Sequence, residues 1–219
     1  MNMKNLGLGM ALALSACGPA QQSSTSAEAA DGQANQPTVA VQQNQVVETI
    51  MARRSVRKYK PQPVEEEKLQ EIIKCGINAP NGRYKQSWEV RIVRSPEFMA
   101  EIEKGYTAYQ EKSGKKRINH PSFGAPLLVF IAYDDTYDLS QVDCGLIGAN
   151  MILSAQSMGL GTCCLGGIAR FMQSPEASSL LKRLDFPETH HLLYAISMGY
   201  PDETPGAKPR DVEKVKIID

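Results

Sequence analysis

Residues 53–59 read Arg-Arg-Ser-Val-Arg-Lys-Tyr and place four cations around the hydroxyl of Ser55. A short helical pattern at 46–51 precedes this stretch, and prolines at positions 61 and 63 follow it. Proline removes a backbone donor and disfavours helix in the residue before it. We therefore expect the basic stretch to leave the end of a helix and to continue as extended chain.

An extended course would gather charged side chains of this stretch on one face. Alternate residues of an extended segment point the same way, so Arg53, Ser55 and Arg57 would share a face, with Val56 anchored on the other. Guanidinium groups bind phosphate oxygens through bidentate, charge-assisted hydrogen bonds, which makes this face suitable for a phosphate. The alternative is a solvated basic turn, since short basic runs are usually exposed.

The composition is that of a globular domain with an appendage, and it argues against some classes of function. The chain has 219 residues, 42% of them hydrophobic, and a formal net charge of zero. Because nucleic-acid binding needs a basic field over a whole face, we expect no nucleic-acid partner and interpret the basic stretch as a local device. The sequence contains no C-x-x-C pair, zinc spacing, Ser-His-Asp signature or Walker loop. We therefore predict no metal site and name no catalytic side chain.

The first 17 residues have the pattern of a processed export signal. A positive charge at Lys4 precedes a short apolar run, which ends in Leu14-Ser15-Ala16-Cys17. This end resembles the lipobox of bacterial lipoproteins, in which cleavage precedes a cysteine that becomes lipidated. We expect a signal peptide at 1–17, lipidation of Cys17, a disordered tether at 18–45 and a folded domain at 46–219, anchored to a membrane outside the cytoplasm. An ordinary secretory signal and a chance apolar run at a cytosolic start are the alternatives.

Hydrophobic periodicity divides the domain into helices and strands. The run at 126–133 is apolar almost without interruption, so we expect a central strand covered on both faces. The segment 141–158 is apolar around most of its circumference, which predicts a helix buried in the core or at a subunit interface. The other predicted elements are helices at 46–51, 64–78, from 95 onward and around 175–184, and strands at 89–93 and 192–198.

Three other segments carry candidate functional groups. Residues 159–167 contain four glycines and the adjacent Cys163 and Cys164. Such a segment lets a backbone approach something flat, or simply forms a tight turn, and its cysteines suit a core as well as a redox role. The polar segment 111–119 predicts either a mobile lid or a solvated loop. Near the end, two cations at 208 and 210 flank a proline.

Together these motifs resemble the nitroreductase family of FMN-dependent oxidoreductases over residues 46–212. Four parts carry the resemblance: Arg53-Arg54-Ser55-Val56-Arg57 with Tyr59; Ala79-Pro80-Asn81-Gly82 with Gln86 and Trp88; the helix from Asp143 with its glycine-rich exit to Gly161; and Gly199-Tyr200-Pro201 followed by Lys208 and Arg210. The resemblance implies an α+β fold with a central, mostly antiparallel sheet flanked by helices. It also implies an intertwined homodimer with two flavins at the subunit interface.

The resemblance further implies which residues hold FMN. Those for the phosphate and part of the ring are Arg53, Arg54, Ser55, Arg57, Lys208 and Arg210. Pro80, Asn81 and Gly82 would belong to the cofactor contacts, the last two approaching from the partner subunit. Cys164, Leu165 and Gly166 would offer backbone groups to the ring edge. The chain departs from the commoner family pattern at Tyr84, Ser87 and Gly166, where Asn, Pro and, in some members, an acidic residue stand.

The implied activity is FMN-dependent reduction of nitroaromatic, quinone-like or related small acceptors, with NAD(P)H or another donor supplying the electrons. Export would separate the protein from the cytoplasmic NAD(P)H pool, so either the donor differs or the lipobox interpretation is wrong. One alternative function is a reductive dehalogenase of the iodotyrosine deiodinase type, which shares the fold. The other is a lipid-anchored flavin- or phosphate-binding module without turnover.

Overall fold

The computed structural model describes residues 44–114 and 120–219, which are built around a four-stranded sheet. The strands are β1 (Trp88–Val93), β2 (Leu127–Asp134), β3 (Gly161–Leu165) and β4 (His190–Gly199). They lie in the order β1-β2-β4-β3, and all neighbouring pairs run antiparallel. The predicted α+β class with a mostly antiparallel central sheet is therefore confirmed.

Strand β2 lies inside the sheet, paired with β1 and β4, and both of its faces are buried. Leu128 and Phe130 point into one hydrophobic cluster, whereas Val129 and Ile131 point into the other. Successive side chains of a strand alternate between the two faces of its sheet, so a strand covered on both sides must be apolar throughout. The near-continuous apolar run in the sequence thus has the predicted physical cause.

Helices cover the sheet on both faces. In the described part of the chain they are α1 (Gln45–Ala52), α2 (Glu66–Ile77), α3 (Pro96–Lys112), α4 (Ser140–Ser157), α5 (Gly166–Met172) and α6 (Ser178–Lys182). Helices α2 and α4 pack in the cluster with Val129 and Ile131, while α3 and α5 pack in the cluster with Phe130. Among these helices, none has both the length and the apolarity needed to cross a bilayer.

The starts of two helices follow from local capping. The Asn44 side chain accepts a hydrogen bond from the backbone N–H of Val47 at 3.0 Å and begins α1. Ser95 caps α3 in the same way, accepting from the N–H of Phe98 at 3.2 Å, and Pro96 occupies the first turn. Both side chains satisfy a backbone donor that the helix itself leaves without a partner. The helix that the sequence predicts from position 95 onward therefore begins where expected.

Helix α4 is buried on one side only within a single chain, so the core accounts for part of its predicted burial and the predicted subunit interface stays a prediction. Cys144, Ile147 and Met151 face the core, but Val142 is 57% exposed and Leu146 is 37% exposed. One apolar side of the helix therefore packs against the core of its own chain. The other apolar side is exposed to solvent in a single chain.

Other differences concern segments rich in glycine or charge. The 159–167 segment contains the edge strand β3 and the start of α5, neither of which the sequence predicted. Of the predicted lid at 111–119, Glu111 and Lys112 belong to the end of helix α3 and 115–119 lie outside the described residues. The predictions for the signal peptide, Cys17 and nearly all of the tether also fall outside them.

Candidate functional site

The basic stretch runs extended along the edge of the sheet, as the sequence predicted. The backbone N–H of Val56 donates to the carbonyl of Thr162 in β3 at 3.0 Å. The N–H of Lys60 donates to the carbonyl of Tyr200 at 2.9 Å, just beyond the end of β4. Backbone pairing therefore fixes residues 55–60 against strand β3 and the segment that follows β4.

Buried packing holds the middle of this stretch in place. Val56 and Tyr59 are both buried, and the Tyr59 hydroxyl donates to the carbonyl of Val56 at 2.8 Å. A Cβ on Gly161 would lie 2.7 Å from a methyl of Val56, so this close approach of two backbones requires glycine. Burial raises the pKa of Tyr59, which keeps its hydroxyl protonated as a donor.

Two carboxylates pin the stretch to the chain after β4. The Lys58 ammonium lies 2.6 Å from the Asp202 carboxylate, and their hydrogen bond raises the pKa of Lys58 and lowers that of Asp202. The next carboxylate, Glu203, accepts a hydrogen bond from the backbone N–H of Arg57. Both contacts are on the surface, so they orient the two segments more than they stabilise the fold.

The two segments enclose a cavity of about 100 Å³, here called the basic cavity. Its lining residues are Arg53, Arg54, Ser55, Arg57, Pro205, Gly206, Lys208 and Arg210. It thus has five cations and a hydroxyl but no carboxylate. All six residues predicted from the sequence to surround a phosphate are brought together, although Arg54 also lines the cavity and does not alternate away from it.

The cations of the basic cavity remain available to an anion. Among the described residues none of the five forms an ion pair with a carboxylate. Arg54 donates to the carbonyl of Met51 at 2.6 Å and so caps the end of α1. Arg57 and Arg210 donate only to backbone carbonyls, each at 3.2 Å. A dianion such as a phosphate monoester would supply the negative charge with which these cations could pair.

A second cavity of about 160 Å³, here called the thiol cavity, shares Arg57 with the first as a lining residue. Its lining residues are Arg57, Tyr106, Pro121, Phe123, Cys163, Cys164, Leu165, Gly166, Gly167 and Ile168. Burial raises the pKa of Cys163, so that thiol stays protonated and is a poor nucleophile at neutral pH. The three predicted ring-edge residues, Cys164, Leu165 and Gly166, all lie here. The aromatic side chains were missed, because nothing in the local sequence marks them.

The loop at 79–87 is strained and is held by one buried carboxylate. Arg83, Tyr84 and Gln86 all have positive φ, a conformation that costs side chains other than glycine about 1–3 kcal/mol each. Asp143 is only 2% exposed and accepts hydrogen bonds from the N–H of Gly82 and the hydroxyl of Ser87, both at 2.9 Å. The start of α4 therefore determines the shape of this loop.

The remaining predicted contacts lie in that loop and away from both cavities. Pro80, Asn81 and Gly82 line neither the basic cavity nor the thiol cavity. Asn81 instead accepts a hydrogen bond from the N–H of Gln86 at 3.1 Å. Within the described residues no cluster of side chains could hold a metal ion.

Comparison with known proteins places this arrangement in a family. A sequence profile described as "Nitroreductase family" matches residues 50–200. An NADPH-flavin oxidoreductase of Vibrio harveyi is 29% identical over 175 residues, covering 76% of this chain and 70% of that protein. An FMN reductase (NADPH) of Bacillus subtilis is 27% identical with the same coverage. A nitroreductase of Desulfitobacterium hafniense, solved with bound FMN, superposes with a TM-score of 0.73 at 27% identity, covering 81% of this chain and 100% of that one.

Proposed function

This chain belongs to the nitroreductase family, and we propose on that premise that it is an FMN-dependent oxidoreductase. The observation that carries the proposal is the basic cavity, with five cations and no carboxylate, beside the thiol cavity with which it shares Arg57. The cations of the basic cavity suit a phosphate, and the neighbouring thiol cavity offers space for a planar ring. Relatives and structural neighbours named for FMN support the same cofactor.

The residues present suit FMN. Arg53, Arg57 and Arg210 would hold the phosphate with Arg54, Ser55 and Lys208, while the backbone at 164–166 would border the ring. Bound FMN supplies hydride transfer between a donor and an acceptor, so the protein contributes binding, orientation and charge. We assign no side chain to nucleophilic or acid–base work.

The overall reaction has NAD(P)H as electron donor and a nitroaromatic or quinone-like compound as acceptor. For a nitro compound it balances as NAD(P)H + H⁺ + R–NO₂ → NAD(P)⁺ + R–NO + H₂O. The donor is proposed from the names of the relatives, several of which are NADPH-dependent.

A homodimer completes the site in this proposal. The exposed apolar side of α4 and the exposed Val215 and Ile217 near the chain end need a partner surface. A second copy would cover them, and its 79–87 loop would bring Asn81 and Gly82 to the ring. This accounts for the absence of these residues from the cavities of one chain.

The direct test is flavin content and turnover of the purified full chain. We expect a yellow protein whose flavin absorbance is bleached by NADPH or NADH and restored by a nitro compound. A protein that neither contains nor binds FMN would refute the proposal. A yellow protein that is bleached by dithionite but by neither nucleotide would instead support a flavin-binding module without nicotinamide-linked turnover.

We also propose that the protein is a lipoprotein anchored outside the cytoplasm through Cys17. Only the sequence Leu14-Ser15-Ala16-Cys17 and the polar segment after it support this. Metabolic labelling with a fatty-acid analogue should tag the wild type but not Cys17→Ser. Equal labelling of both proteins, or of neither, would contradict the proposal.

A further inference from the structure

Arg170, on helix α5, is a cation without a partner beside the thiol cavity. Its side chain is exposed, and among the described residues it forms neither an ion pair nor a hydrogen bond. Its Nη1 lies 3.6 Å from the place where a Cβ on Gly166 would be. Gly166 itself lines the thiol cavity. Because glycine has no side chain, position 166 offers no group that could pair with the guanidinium of Arg170.

The charge of Arg170 also affects the pKa of Tyr106, another residue that lines the cavity. Burial raises the pKa of Tyr106, and the positive charge of Arg170 opposes that shift. Among the described residues that line the cavity, Arg57 is the only charged one and none is a carboxylate. Glu203 accepts a hydrogen bond from the backbone N–H of Arg57.

We propose that Arg170 gives this site a preference for acceptors that carry a carboxylate or another anionic group. The inference rests on the proposed function and specifies its substrate class. An unpaired guanidinium binds a carboxylate through two parallel hydrogen bonds, which a neutral amide of the same shape cannot match. An acidic side chain at position 166 would pair with Arg170 and remove the preference, whereas Gly166 leaves the guanidinium free.

The test compares two acceptors that differ only in charge, 5-nitro-2-furoate and 5-nitro-2-furamide, with NADPH as donor. Because Arg170 is exposed, Arg170→Gln should lower kcat/KM for the acid only about three- to fivefold, the upper part of the range for an exposed ion pair, and change the amide less than about twofold. The loss should lie in KM, because Arg170 binds the acceptor without taking part in electron transfer. Arg170→Lys should recover part of the loss.

A control variant separates the charge of Arg170 from a general effect of surface charge. Lys182→Gln, an exposed cation on α6, serves as the matched control and should change neither acceptor.

Binding provides a readout that does not depend on turnover. The non-reducible 2-furoate, titrated against the flavin absorbance of the holoprotein, should bind wild type several-fold more tightly than Arg170→Gln. Equal binding to both proteins would overturn the inference, as would equal loss of kcat/KM for acid and amide, which indicates a structural role. A defect confined to reduction by NADPH, measured by stopped flow without acceptor, would assign Arg170 to the phosphates of the donor and also overturn it.

These failures are distinguishable from failure of the proposed function. A wild-type protein that binds no FMN or is not reduced by NADPH removes both the proposed function and the acceptor preference. Normal turnover of the amide with no selective effect of Arg170→Gln removes the acceptor preference alone.

Discussion

Arg53 and Arg210 come from opposite ends of the domain and line the same basic cavity. A hydrogen bond to a charged group contributes about 1.5–3 kcal/mol, so either substitution to alanine should weaken FMN binding roughly ten- to a hundredfold. Riboflavin lacks the phosphate, so its binding should be weak in wild type and almost unchanged in both variants. Quenching of flavin fluorescence on titration of apoprotein measures both ligands.

The controls for this prediction are a surface arginine and the double variant. Arg94→Ala, whose side chain pairs with Glu66 away from the cavity, should bind FMN as wild type does. The double variant should lose less than the sum of the single losses, because residues in one network are coupled. If Arg53→Ala and Arg210→Ala weakened the binding of riboflavin as much as that of FMN, neither arginine would bind the phosphate.

Asp143 supports the strained 79–87 loop through two hydrogen bonds. Asp143→Ala should leave the N–H of Gly82 and the hydroxyl of Ser87 without their acceptor, at a cost of about 1–3 kcal/mol for each group that stays buried. Urea unfolding should show this as a lower midpoint than in Asp138→Ala, which removes an exposed carboxylate nearby. Equal midpoints for the two variants would show that the loop keeps its shape without Asp143.

At the scale of elements, the sequence predicted the structures that have a strong period and missed those that do not. The run that became β2 is apolar at every position because both of its faces are covered. By contrast, β3 and α5 share the glycine-rich segment 159–167, where glycine is unfavourable in both strands and helices and local preference says little.

The candidate site divides in the same way. Clustered cations at 53–57 and 208–210 were visible in the sequence, and the structure brings them together. The contact of Asp143 with Gly82, and the positions of Tyr106 and Arg170 near the thiol cavity, depend on packing between distant segments. Such long-range contacts leave no local pattern that a single sequence could reveal.

Helix α4 carries the prediction about assembly. Its Val142 and Leu146 are exposed in one chain, and we expect them to be buried between two copies. Replacing both with glutamate would place charges in an apolar interface, so light scattering should change from the mass of a dimer to that of a monomer, with weaker FMN binding. Glutamate at Val46 and Ile50 of α1 is a useful comparison, since both residues are exposed on a neighbouring helix. A wild-type protein that is monomeric and still binds FMN would contradict the dimer proposal.

For the whole molecule, buried acidic groups predict a loss of stability at alkaline pH. Burial raises the pKa of Cys144 from an ordinary 9.0 to about 12. Above pH 9 the unfolded chain therefore loses a proton that the folded chain keeps, so the free energy of unfolding falls as pH rises. Tyr59 and Tyr194, whose pKa values burial also raises, add to the fall above pH 10.

Urea midpoints should thus be steady near neutral pH and decline from pH 9 upward. Cys144→Ala removes one of the groups responsible, so its decline between pH 9 and 10 should be shallower than that of wild type. An identical decline in both proteins would mean that Cys144 ionises alike in the folded and unfolded states.

The pairing of residues 55–60 with the chain after β4 has a consequence for the timing of cofactor loading. One wall of the basic cavity is made early in synthesis, but the other, from Pro205 to Arg210, belongs to the end of the chain. Chains fold from the N-terminus as they are made, and a half-built cavity has only part of the charge that attracts a phosphate. FMN capture therefore has to wait until residues 205–210 have been made, and free flavin is needed wherever the domain then completes its folding.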